Sequence, residues 1–214
     1  MNPQTVDLPP LCVRADVRSI NEEQHTVDLV FSTGVPVDRI DYWTGKRYRE
    51  VLSLDPTAVR LKRLNAGAPL LDAHSAFSVG DILGTVVPDS ARLEGKKALA
   101  TVRFSKREAV EPIWQDVRDR IIQNVSVGYR VHKFVEETNG DKNALPVRTA
   151  VDWEPYEISM VPMPADTGAR VRAGDKSDTN PCVIISGAAP CGAADVNVSD
   201  ADRGRRLCLA RARG

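Results

Sequence analysis

The sequence predicts an α+β domain, mainly antiparallel strands arranged as a barrel or sandwich with a few helices. Three observations predict it. Apolar runs alternate with turn signals from Val13 to about Val171, only two or three stretches show helical spacing, and no regular βαβ alternation appears. Residues 1–12 carry prolines and no periodicity and read as a flexible N-terminal arm. Residues 13–172 read as the folded domain. Residues 173–214 are rich in Ala, Gly, Ser, Asp and Asn, lack aromatics, end in a basic stretch, and read as a flexible tail or linker.

The elements follow in order. Thr26-Val27-Asp28-Leu29-Val30-Phe31 alternates apolar and polar residues, as a half-buried strand does, and the turn at residues 21–24 gives it a partner strand upstream. Asp55-Pro56 has the form of a helix start, with Asp55 as N-cap and Pro56 at the first helical position. Ala58, Leu61 and Leu64 share one side of that helix, and Asn65-Ala66-Gly67 ends it. Pro69-Leu70-Leu71-Asp72-Ala73-His74 is an extended apolar run finishing on a histidine. Residues 82–87 and 98–104 predict two strands joined by a turn at residues 89–96. Ser105-Lys106-Arg107-Glu108 has the capping-box pattern. A helix is then expected from Pro112 to Gln123, with Ile113, Trp114, Val117 and Ile121 at helical spacing and Asn124 as its stop. Residues 125–135 and 156–161 alternate as strands.

Composition removes several classes of function. The 214 residues contain 42% hydrophobic residues, enough for a core. Lys and Arg number 29, as do Asp and Glu, so the balanced charge argues against a general attraction to nucleic acid or an acidic membrane. No basic leader with an apolar run and no apolar stretch of about 18 residues is present, so the expected setting is soluble and cytoplasmic. Cys12, Cys182, Cys191 and Cys208 are scattered and match no zinc spacing, so neither metal nor cofactor is expected. The Asn124 and Asn197 sequons carry no meaning without secretion.

Three histidines are available as bases. His25, beside a polar turn, reads as a solvated surface residue. His132 shares strand parity with Ser126, but six residues of strand separate the two by roughly 20 Å. His74 remains. A serine needs such a base to become a nucleophile, and the base needs a third group to hold its tautomer. Ser126 stands after a helix stop at the start of a strand, and Gly128 two positions on would leave room for a peptide backbone. The segment lacks the leading glycine of the hydrolase elbow. Asp152, Glu154 and Glu157 are the candidate third groups. On strand parity Tyr156, Ile158 and Met160 face one way and Glu157 and Ser159 the other, where Glu157 meets either a partner or solvent.

Three segments, in order, resemble the prohead maturation proteases of tailed phages. They are Leu70-Leu71-Asp72-Ala73-His74, then Ile122-Gln123-Asn124-Val125-Ser126-Val127-Gly128-Tyr129, then Glu154-Pro155-Tyr156-Glu157-Ile158-Ser159-Met160-Val161-Pro162-Met163-Pro164-Ala165-Asp166. The Trp114-Gln115-Asp116-Val117-Arg118 helix before the serine fits too, and the likeness spans about residues 28–171. The family is distantly similar to the herpesvirus assemblins, which implies a β-barrel flanked by a few helices. The resemblance implies a serine endopeptidase cutting scaffold, the delta region of the major capsid protein, or itself, within the immature capsid in the host cytoplasm. It implies Ser126 as nucleophile, His74 as general base and Glu157 as the orienting acid, where assemblins use a second histidine. By analogy, backbone N–H groups of Gly168, Ala169 and Arg170 form the oxyanion hole. A homodimer is expected from the assemblin likeness, with the portal as a further candidate partner. The competing expectations are a catalytically inactive capsid-assembly or scaffold protein of the same fold, a β-barrel binding module, and a metal-dependent hydrolase using Asp72 and His74.

Overall fold

The computed structural model describes residues 4–8, 11–41, 43–137, 144–162 and 180–186 of the chain. These residues form a mostly β structure with two short α-helices, in keeping with the α+β expectation. The strands are β1 (Gln4–Leu8), β2 (Leu11–Asn21), β3 (Thr26–Ser32), β4 (Val37–Ile40), β5 (Arg47–Leu52) and β6 (Pro69–Asp72). They continue with β7 (Ile82–Val86), β8 (Arg92–Glu94), β9 (Lys97–Phe104), β10 (Asn124–Glu137), β11 (Val147–Met160) and β12 (Asn180–Ser186). The helices are α1 (Lys62–Asn65) and α2 (Glu111–Arg118).

Eleven of the strands run in the order β1-β12-β10-β2-β3-β9-β7-β6-β11-β5-β4, with β8 hanging on β9. In addition β10 pairs directly with β11, which stands six places away along that order. Most pairings are antiparallel, but β6 and β5 run parallel to β11, and β12 runs parallel to β10. Alternation along the strands gathers Val27, Leu29 and Phe31, Ala98, Ala100 and Val102, Val125 and Val127, and Ile158 and Met160 into one core. Where β7 crosses β9, Gly84 permits close approach: a Cβ there would lie 2.1 Å from the Arg103 carbonyl oxygen, backbone that cannot swing aside. Gly84→Ala is therefore expected to cost about 1–3 kcal/mol of stability, measured by urea unfolding.

The termini depart from expectation. The N-terminal arm contains β1, which pairs with β12 from the segment read as tail, and β12 lies along β10. Pro181-Cys182-Val183-Ile184-Ile185 is a local β-rich run whose signal is diluted by the small and polar residues around it. Residues 4–8 and 180–186, outside the expected limits of 13 and 172, thus pair into the same sheet. The helix expected from Pro56 shrinks to α1. Asp55 caps only a turn, accepting from the Thr57 N–H and hydroxyl, because residues 58–60 bond with Trp153 of β11 instead. Ser105 likewise accepts only from the Arg107 N–H, and a true capping box forms at Ser78 and Asp81.

Helix α2 buries Trp114 and Val117 but ends earlier than its apolar spacing suggests, leaving Ile121 71% exposed. The terminus is a Schellman turn: Ile121 N–H donates to Asp116 C=O and Arg120 N–H to Val117 C=O. Arg120 occupies the left-handed position at φ +59°, where glycine is normally found. Arg120→Gly should stabilise the fold by about 1 kcal/mol, seen as a higher urea midpoint with unchanged slope. His25 is not a solvated residue: its ring stacks on Trp114 at 4.7 Å and 14°, tying the β2–β3 turn to α2.

Candidate active site

The site grows out of the pairing of β10 with β11 and of β11 with β6. With Val125 and Val127 in the core, Ser126 and Gly128 point to the opposite face of the sheet, and with Ile158 and Met160 in the core, so do Glu157 and Ser159. Register places Ser126 opposite Ser159 and Gly128 opposite Glu157. Directly opposed side chains start about 4.5–5.5 Å apart at Cβ, so these four positions form one patch. On the other side of β11, the parallel strand β6 sets Asp72 beside Met160, and the chain leaves β6 there toward His74.

Two residues then turn the chain back over the patch. Ala73 and His74 sit in the left-handed region at φ +44° and +63°. Each costs roughly 1–2 kcal/mol for a residue with a Cβ, so surrounding bonds must hold them. Ala73 N–H donates to the Met160 carbonyl at 2.9 Å, and His74 N–H donates to Ser159 Oγ at 3.1 Å. The His74 ring reaches Glu157, its Nδ1 2.6 Å from Oε1. A carboxylate only accepts, so Nδ1–H donates, and in the neutral ring Nε2 carries the lone pair. The other oxygen, Oε2, accepts the Ser159 hydroxyl at 2.7 Å. Glu157 is 3% exposed, while the His74 side chain remains 29% exposed, so the carboxylate is shielded and the imidazole faces outward.

Ser126 is 1% exposed, and its Oγ has no hydrogen-bond partner among the described residues. A buried hydroxyl left unpaired costs about 1–3 kcal/mol, an unusual expense for a residue serving structure alone. In this conformation the serine and the imidazole share a patch but are not hydrogen-bonded to each other.

Several expectations resolve here. Of the three acids, Glu157 meets His74, whereas Asp152 is bound by Arg60, with Nε and Nη2 each 2.6 Å from its carboxylate oxygens. Gly128 does not leave room for a peptide backbone. The Glu157 carboxylate fills that space: a Cβ on Gly128 would lie 2.1 Å from Oε1 and 2.8 Å from Cδ. His132 lies on β10 beyond a register shift, well along the strand from Ser126. Gly168, Ala169 and Arg170 lie outside the described residues. No group of three His, Cys, Asp or Glu side chains is placed to hold a metal among the described residues. Burial pushes the Cys182 thiol up to about 12, which leaves it unreactive at neutral pH. No helix among the described residues is long and apolar enough to cross a membrane. Sequence reasoning placed Ser159 on the face of Glu157 but missed its role. The signal was the two-residue spacing, which on a strand puts the hydroxyl beside the carboxylate.

The loop after His74 is cross-linked by hydrogen bonds to Asp81 and is partly apolar. Asp81 accepts from the Ser75 hydroxyl and from the Phe77 and Ser78 N–H groups, and these bonds, the Ser75 hydroxyl first, hold its carboxyl below the usual range. Phe77 is left 97% exposed in this loop, with Val79 nearby also exposed.

Comparison with known proteins finds a family likeness over part of the chain. Residues 88–180 match the sequence model of the caudovirus prohead serine proteases. The resemblance read from the three segments therefore extends over a stretch that contains Ser126 and Glu157. His74 precedes it. Over 132 residues the chain is also 38% identical to a major capsid protein of Halomonas phage phiHAP-1, covering 61% of this chain and 20% of that protein. The chain thus spans about a fifth of the length of this curated relative. No solved structure matches.

Proposed function

We propose that this chain is a serine endopeptidase of phage prohead maturation, with Ser126 as nucleophile, His74 as general base and Glu157 as the acid that orients it. The observation carrying this reading is the half-buried Glu157–His74 bond, set on the same sheet face as a buried serine hydroxyl with no partner among the described residues. Ser126 attacks the scissile carbonyl as His74 Nε2 takes its proton. His74 then protonates the leaving amine, and water releases the acyl-enzyme by the same route. Glu157 holds the tautomer and offsets the imidazolium charge. Backbone N–H groups of Gly168, Ala169 and Arg170 are assigned to the oxyanion hole by analogy with the family.

The direct link between β10 and β11, strands otherwise separated by β2, β3, β9, β7 and β6, supports a barrel of the assemblin kind. The capsid-protein relative supports capsid proteins as partners and substrates. Scaffold, portal and a second copy of the chain are further partners in this reading, and the working place is the interior of the immature capsid. The same relative favours one alternative, a capsid-assembly segment without activity. Co-expression with the capsid protein, as wild type and as Ser126→Ala, separates them. Mass spectrometry should find a shortened capsid protein only with the wild type, and identical products from both would support the assembly role.

A further inference from the structure

We propose that Ser159 is a positioning residue for the active site, a hydroxyl that fixes the orienting carboxylate and the backbone of the base at once. This rests on the serine-protease reading of Ser126, His74 and Glu157 and adds a fourth residue to it. Ser159 is fully buried and stands directly across from Ser126 in the β10–β11 register. Its Oγ–H donates to Glu157 Oε2 at 2.7 Å, and the same oxygen accepts the His74 N–H at 3.1 Å.

Those two bonds act on different degrees of freedom. The first, together with the Gly128 seat, sets the rotation of the carboxylate so that Oε1 faces Nδ1. The second ties down His74 where its backbone is least favourable, the second of two consecutive left-handed residues. With alanine at 159 the carboxylate loses a donor, and the His74 N–H loses its acceptor. The strain at Ala73 and His74 would then relax by moving the imidazole. Valine or leucine would fail for the same reason, and the hydroxyl must both give and accept, which serine does in one atom. Ser159 need not touch substrate, so its influence passes through His74.

The experiment has two readings. One is the rate at which a fluorophosphonate labels Ser126 in the wild type, Ser159→Ala, His74→Ala and the double variant. The other is the downfield proton resonance of the His74 Nδ1–H in the wild type and Ser159→Ala. Ser159→Ala is expected to slow labelling about 10–100-fold, to add nothing in the His74→Ala background, and to abolish or move the resonance. Unchanged labelling with the resonance in place overturns the proposal, as does an equal loss when His74 is already absent. A wild type that takes no label at all defeats the protease reading, and the resonance alone then decides the role of Ser159. Should circular dichroism show Ser159→Ala unfolded, Ser159→Cys keeps the volume with a much weaker donor and is judged by the same two readings.

Discussion

Ser126→Ala should abolish cleavage of the capsid protein, a fall of about 10⁴-fold or more, while leaving the fold at least as stable as the wild type. The first half follows from removing the atom that forms the acyl bond. The second half follows from burial. The Ser126 hydroxyl is shielded from water and has no hydrogen-bond partner among the described residues, so replacing it by hydrogen removes a cost rather than a hydrogen bond. The expected gain is about 1 kcal/mol, or a rise in Tm of about 2–4 °C for a chain of this size. A serine held for packing would behave oppositely, losing stability and leaving cleavage untouched. The combination of lost activity with retained or increased stability is what separates a nucleophile from a scaffold residue. Thermal melts and the cleavage assay on one preparation measure both.

Gly128→Ala should be nearly as damaging, by a different route. The added methyl would stand 2.1 Å from Glu157 Oε1 and 3.0 Å from its Cγ, far inside contact distance. Glu157 cannot swing away cheaply, because Oε1 is bonded to His74 and Oε2 to Ser159. Overpacking of this kind costs about 1–3 kcal/mol. Displacing the carboxylate by about an ångström misplaces the imidazole, with an expected loss of about 10²-fold in cleavage. The double variant Gly128→Ala/Glu157→Ala should recover most of the stability, since the clash is gone, but none of the activity. Urea unfolding and cleavage rates on the two single variants and the double test this. A Gly128→Ala chain that cleaves at the wild-type rate would show that the carboxylate does not govern the base.

Much of this site is legible in the sequence because strand alternation is a local property. Valines at 125 and 127 fix the direction of Ser126 and Gly128, and Ile158 with Met160 fixes that of Glu157 and Ser159. The arrival of His74 is not local. It depends on β6 lying parallel to β11 and on two left-handed residues that are alanine and histidine, where a reader of sequence would look for glycine or asparagine. The use of Gly128 as a seat for Glu157 is hidden for the same reason, since it exists only once β10 and β11 are in register. Elsewhere long-range pairing overrode local pattern. Residues 58–60 gave up a helix to bond with Trp153, and β12 formed within a polar, glycine-rich segment because β1 and β10 offered it edges. Arg120 at φ +59° ended α2 before Ile121 could join its apolar side.

In the proposed function His74, oriented by Glu157, activates Ser126. Mapping a fluorophosphonate adduct by mass spectrometry tests it most directly. The expected result is the adduct on Ser126 of the wild-type chain and labelling slower by about 10³-fold or more on the folded His74→Ala variant. A folded wild type without the adduct, or equal labelling once His74 is removed, would contradict it.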